Sequence, residues 1–226
     1  METSLGFIIA ALPALLKGAL ITLQLTAASV ALGSVGGVLL GIARLSKVAL
    51  VRVAARVYVD FFRGTPLLVQ LFMIYFGIPP LVRSIGIDFT FNQWTAAIVG
   101  LSLNSAAYLA EIVRAGIQSI ETGQKEASES LGLGPAQTMR YVVFPQALRR
   151  MIPPLGNEFI TLLKDTSLVA IIGYQELFRQ GQLIVARNFR AFEIWFTVAL
   201  IYLILNVIAS QAFSLLERRM NPIATK

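Results

Sequence analysis

Uncharged apolar stretches divide this chain into segments of membrane-crossing length. Gly18 to Ala43 carries no charge, and Gly64 to Val82 carries none and extends back through Val57, Tyr58 and Val59. Phe89 to Ala110 and Ile194 to Leu216 are likewise uncharged. A spanning helix needs about 20 mostly apolar residues, so these stretches read as spans one, two, three and five. Span four, Ile152 to Gly173, is long and apolar but is interrupted by Glu158, Lys164 and Asp165. Leu5 to Leu16 is too short to cross and holds Pro13, which predicts an interfacial helix leading into span one. Ala115 to Arg150 is polar. Its break at Gly132-Leu133-Gly134-Pro135, followed by a second short helical run ending at Pro145, predicts a helix-turn-helix under the membrane.

Composition narrows the class. Of 226 residues, 56% are hydrophobic and 14% charged, against roughly 25% charged in a soluble domain. The chain has no Cys and no His, which removes disulfides, thiolate or imidazole metal sites and His-activated nucleophiles. No metal site is expected. The formal net charge of +7 reports on orientation in a polytopic protein before it reports on nucleic acid, and no nucleic-acid partner is expected. With the C-terminus inside, the inner segments hold twelve basic residues: Arg44, Lys47, Arg52, Arg56, Arg114, Lys125, Arg140, Arg149, Arg150, Arg218, Arg219 and Lys226. The outer segments hold five: Lys17, Arg83, Arg179, Arg187 and Arg190. That asymmetry predicts N-outside, C-inside. Met1-Glu2-Thr3 lacks the basic start of a signal peptide, so the apolar segments are expected to be retained. No G-x-x-x-x-G-K-[ST] phosphate loop occurs, so any ATP-driven function needs an ATPase on another chain.

The polar segment carries a further pattern. Glu126-Ala127-Ser128, then Gly132, then Val142-Val143-Phe144-Pro145 resembles the EAA loop of ABC importer permeases, with its spacing kept throughout. Ser128, Val142 and Phe144 depart modestly from the family's Ala, Ile and Leu. Arg63-Gly64-Thr65-Pro66-Leu67-Leu68, Asn104-Ser105-Ala106-Ala107-Tyr108-Leu109-Ala110-Glu111 and Gly156-Asn157-Glu158-Phe159 resemble the polar amino-acid uptake branch, the histidine, arginine and glutamine permeases. The resemblance implies an all-α type I importer fold, 1–226 being one transmembrane permease domain with a core of five helices and the coupling loop at 115–150. It implies a second permease subunit, two ATPase subunits that bind ATP and Mg, an extracytoplasmic substrate-binding protein and a bacterial inner-membrane location. Glu126, Ala127, Ser128, Leu131 and Gly132 would form the contact with the ATPase. A surface helix merely linking two spans is the alternative for the residues taken alone.

Ionisable groups at membrane depth are functional candidates, because each costs roughly 2.5–3.5 kcal/mol at the centre of a span. Glu158, Thr161 and Asp165 fall on one helical stripe, while Lys164 is turned about 100° from Asp165. Asn104, Tyr108 and Glu111 form a second stripe, and Gln70 lies about two turns from Arg63. Asn104 and Gln70 can each donate and accept, and Glu158 accepts when ionised. Asn104 and Glu158 are therefore expected to form the core of a substrate site, supported by Thr161, Asp165 and Gln70. The acidic stripe suggests a basic amino acid, and the resemblance points the same way for a carboxylate at Glu158. Structural readings compete: Glu158 paired with an arginine, Asp165 paired with Lys164, Asp60 with Arg63, and Glu111 with Arg114. Arg179, Arg187 and Arg190 are candidates for docking the binding protein, against a solvated loop. The expected function is the permease of an amino-acid importer. An uncoupled ion or solute channel and a membrane enzyme are the alternatives, the latter lacking an acid-base-nucleophile set.

Overall fold

The computed structural model describes residues 4–220, so the readings on Met1, Glu2, Thr3 and Lys226 lie outside it. Every element among the described residues is helical. Helix α1 (Ser4–Arg44) is a single rod of 41 residues, about 60 Å long and twice the roughly 30 Å hydrocarbon core. The separate interfacial helix expected at Leu5 to Leu16 is therefore corrected. Pro13 lies inside α1 without ending it. Packing holds that stretch straight: Ala11, Leu15 and Ala19 are buried with Leu177, Ile194, Val198 and Ile201.

Span two is broken outright. Helix α2 (Ala49–Gly64) meets the helical stretch Leu67–Arg83 at 105°. That stretch comprises α3 (Leu67–Phe72), a π turn (Met73–Gly77) and α4 (Ile78–Arg83). Thr65 is extended, at φ −118° and ψ 147°, as a residue before proline must be. The Thr65-Pro66 step is thus a change of direction between two half-helices.

Helix α5 (Gln93–Gln118) runs through the centre of the fold. Its start is capped by Asn92, whose Oδ1 accepts from Thr95 N at 2.8 Å. Against it α1 presents Gly33, Gly37 and Gly41, a small residue at every fourth position. A Cβ at Gly37 would lie 2.5 Å from Leu109 Cβ, and one at Gly33 would lie 2.9 Å from Ser105 Cβ. Two backbones come that close in a membrane protein only over glycine-like surfaces.

Helix α6 (Thr122–Ser130), α7 (Pro135–Gln137) and a π turn (Thr138–Val143) form the polar connection. The chain then enters α8 (Phe144–Asp165) without a break. Pro145 lies within this continuous helical run, just after the π turn, so it does not close a helix, contrary to expectation. A 3-10 segment (Thr166–Ile172) ends at Gly173, φ +83°. Helices α9 (Leu177–Asn188) and α10 (Ala191–Met220) follow.

Among the described residues, Gly6–Arg44, Gln93–Gln118 and Ala191–Met220 are long and apolar enough to cross a membrane, which makes three candidate spans, or four when the bent pair is taken as one. Helix α8 does not qualify by composition. It is instead flanked by α5 and α10, burying Met151, Ile152, Gly156, Leu162 and Leu163. The outward faces of α1 and α10 are apolar: Val35 and Leu39 are each 65% exposed, and Ile208 59%. Surfaces of that extent belong against lipid.

Candidate translocation site

The break in span two strands backbone carbonyls that a continuous helix would satisfy. Gln70, one turn into α3, collects them. Its Nε2 donates to Phe62 O at 2.8 Å, Thr65 O at 3.0 Å and Thr65 Oγ1 at 2.9 Å. Its Oε1 accepts from Asn104 Nδ2 at 2.9 Å. Gln70 and Asn104 are both buried, and the structure brings them together as expected. Their roles differ, however. Gln70 is occupied with the broken helix, while Asn104 spends its donor on Gln70 and Phe62 O and keeps Oδ1 as an acceptor.

Glu158 stands on α8. It is only 9% exposed, yet it has no hydrogen-bond donor and no cation within 4 Å among the described residues. Thr161 and Asp165 continue its stripe and are half-buried. Asp165 forms no ion pair with Lys164, which is exposed and turned to a separate cavity of about 280 Å³ with Trp195 and Tyr202. The depth follows from packing: Met151 fills the space beside Gly116, and seven residues later in antiparallel α8, Glu158 comes level with Leu109 and Tyr108.

Below Asn104 lies a charge cluster that the sequence divides differently. Glu111 pairs with Arg114, as expected, and also with Arg44 from α1. Arg63 makes no pair with Asp60. It lies over the Tyr108 ring, 5.3 Å from the centroid, with Nη1 3.9 Å from Glu111 Oε2. One carboxylate thus gathers guanidiniums from three helices, a convergence that only the fold could reveal.

In the polar connection, Gly132 ends α6 at φ +82°. Leu133 N reaches Ser128 O at 3.1 Å and Gly132 N reaches Glu129 O at 2.9 Å, the paired bonds of a Schellman cap. Glu126, Ala127, Leu131 and Gly132 are exposed, Leu131 at 81%. Ser128 points inward, its Oγ 2.9 Å from Thr138 Oγ1. The hydroxyl that departs from the EAA pattern therefore ties α6 to the following π turn.

The outer arginines are unequally committed. Arg179 donates to Gln182 Oε1 at 3.0 Å, and Arg190 lies over Phe7 and within 3.9 Å of Glu193. Arg187 is exposed and has no ion pair among the described residues. Glu176 is a site the sequence does not signal. It is fully buried, caps α9 through Phe178 N and Arg179 N at 2.9 and 2.7 Å, and accepts from Tyr202 Oη at 3.0 Å and Thr22 Oγ1 at 3.4 Å. No group of three or more His, Cys, Asp or Glu able to hold a metal occurs among the described residues.

Residues 33–222 match the family described as "Binding-protein-dependent transport system inner membrane component". The chain is 47% identical to the glutamine transport system permease protein GlnP of Escherichia coli (strain K12), over 93% of this chain and 94% of that one. It is 39% identical to the octopine transport system permease protein OccM of Rhizobium radiobacter, over 94% and 90%. A crystal structure of an amino acid ABC transporter with histidines aligns at TM-score 0.88 and 38% identity, covering 97% of this chain and 99% of that one. An inward-facing structure of the MetNI methionine ABC transporter aligns at TM-score 0.73 and 27% identity, over 92% and 96%. The chain belongs to the inner-membrane components of binding-protein-dependent transport, as a multi-pass permease of the polar amino-acid ABC importers, whose ATPase is a separate subunit.

Proposed function

We propose that this permease carries amino acids with a cationic side chain through a path bounded by Asn104, Glu158, Thr161 and Asp165. The observation that carries this reading is Glu158: a carboxylate on α8, only 9% exposed, with no cation within 4 Å among the described residues. Such a group is costly unless its partner arrives with the substrate. Asn104 Oδ1 adds a neutral acceptor, and Gln70 holds the broken helix that shapes the cleft. A relative crystallised with histidines supports a basic cargo.

The permease works as a dimer with a second permease subunit, enclosing the path between them. Each copy has five spans: α1, the bent pair α2 with Leu67–Arg83, α5, α8 with its 3-10 extension, and α10. The N-terminus lies outside and the C-terminus inside. Residues 1–226 form one permease domain, and its loop at 115–150 presents Glu126, Ala127, Leu131 and Gly132 to the paired ATPases. A binding protein delivers substrate to the outer face, where Arg187 is the most available of the three arginines.

A neutral polar cargo is the second reading, favoured by the 47% identity to a glutamine permease. Co-purification with the ATPase and binding protein, followed by ATP hydrolysis across an amino-acid panel, separates the two. Stimulation by arginine, lysine or histidine supports the first reading. Stimulation by glutamine alone replaces it with the second, and stimulation by neither group overturns both.

A further inference from the structure

The basic charge beside the cleft exceeds what its acidic neighbour needs. Glu111 is already held directly by Arg44 and Arg114. Arg63 stands 3.9 Å from it, too far for a hydrogen bond, and makes none among the described residues. Its side chain is 41% exposed. Its guanidinium lies over the Tyr108 ring, a contact that restrains the group while leaving its N–H edge available.

Opposite stands the reverse imbalance. Among the described residues Glu158 and Asp165 have no cation within 4 Å, and Glu158 comes level with Tyr108, the ring under Arg63. Arg63 is thus a cation without a hydrogen bond, and Glu158 and Asp165 are anions without an ion pair, among the described residues. An amino acid is a zwitterion that can bridge them.

Resting on the reading of this cleft as the substrate site, we infer that Arg63 receives the substrate's α-carboxylate, while Glu158 takes a positive group of the same molecule. The planar guanidinium offers paired donors that match a carboxylate. Removing Arg63 leaves Glu111 held by Arg44 and Arg114, and α2 stays tied to α5 through Tyr58 Oη, which donates to Leu103 O at 2.8 Å. The assignment is independent of side-chain preference, because every α-amino acid carries the carboxylate.

The test compares each amino acid with its decarboxylated amine: L-arginine with agmatine, and L-glutamine with γ-aminobutyramide. Equilibrium binding is measured on the permease–ATPase complex in nanodiscs, without binding protein, for wild type, Arg63→Gln, Arg63→Lys and Glu158→Gln. The wild type is expected to prefer the amino acid roughly tenfold or more, the size of a charge-assisted hydrogen bond. Arg63→Gln removes that preference and leaves amine binding within about twofold of wild type, and Arg63→Lys is intermediate. An unchanged preference in Arg63→Gln overturns the assignment, as does equal loss of amino acid and amine, the mark of a structural role. Should Arg63→Gln not assemble, an unchanged preference in Arg63→Lys overturns it equally. A different pattern marks failure of the cleft itself: wild type binding neither member of either pair, or Glu158→Gln binding both arginine and agmatine as wild type does.

Discussion

Asn104 Nδ2 meets Gln70 Oε1 at 2.9 Å, and that bond fixes the broken span against the centre of α5. Gln70 could not turn its other end elsewhere, because its Nε2 donates to the Phe62 and Thr65 carbonyls at the break and to the Thr65 hydroxyl. The cleft wall is therefore built by an amide pair, and charge recognition falls to the residues around it.

Gln70→Leu keeps the volume and removes every one of these bonds. The carbonyls of Phe62 and Thr65 and the amide of Asn104 would lose partners, at about 1–3 kcal/mol for each buried group left unsatisfied. Thermal unfolding in detergent should show the destabilisation. Uptake should fall to a similar extent for basic and neutral amino acids. A selective loss of one class would mean that Gln70 reads the cargo.

Gly37 tests the contact between α1 and α5. With Leu109 Cβ already 2.5 Å from where a Cβ would stand, Gly37→Leu forces the helices apart, at about 1–3 kcal/mol or more. Gly123→Ala is the control, because nothing lies within 4 Å of its added Cβ. The control should unfold at or slightly above the wild-type temperature, as alanine favours the helix. Equal stability of the two variants would refute the close packing.

Gly132 separates backbone from bulk. Its φ of +82° disfavours a β-branched residue, whereas Asn tolerates the left-handed region. Open space surrounds the added Cβ within this chain. Gly132→Asn should therefore fold like wild type, yet lower substrate-stimulated ATP hydrolysis by crowding the ATPase contact. Gly132→Val should also weaken the α6 cap, by about 1–2 kcal/mol. Full stimulation in Gly132→Asn would remove Gly132 from the contact.

The sequence made the apolar stretches of α1, α5 and α10 and the Gly132 turn legible, because apolar length and helix-ending glycine are local signals. The stripe of Glu158, Thr161 and Asp165 was legible for the same reason, being helical periodicity alone. The continuity of α1 through Pro13 was not, since it depends on Leu177, Ile194 and Val198 packing beside it from far along the chain. Arg63 read as a partner of Asp60 by spacing, but Tyr108 and Glu111 on α5 claim its neighbourhood instead. Glu176 escaped notice because glutamate is not a favoured capping residue, and its other partners, Thr22 and Tyr202, lie on α1 and α10.

The central claim is that Glu158 reads positive charge on the cargo. The measurement is the ratio of arginine to glutamine uptake in proteoliposomes containing the permease, its ATPase and one binding protein, for wild type and Glu158→Gln. The same binding protein serves both, so its own selectivity cancels between them. The account predicts that the ratio falls about tenfold in the variant, the worth of one charge-assisted contact. A ratio unchanged by the substitution would contradict it.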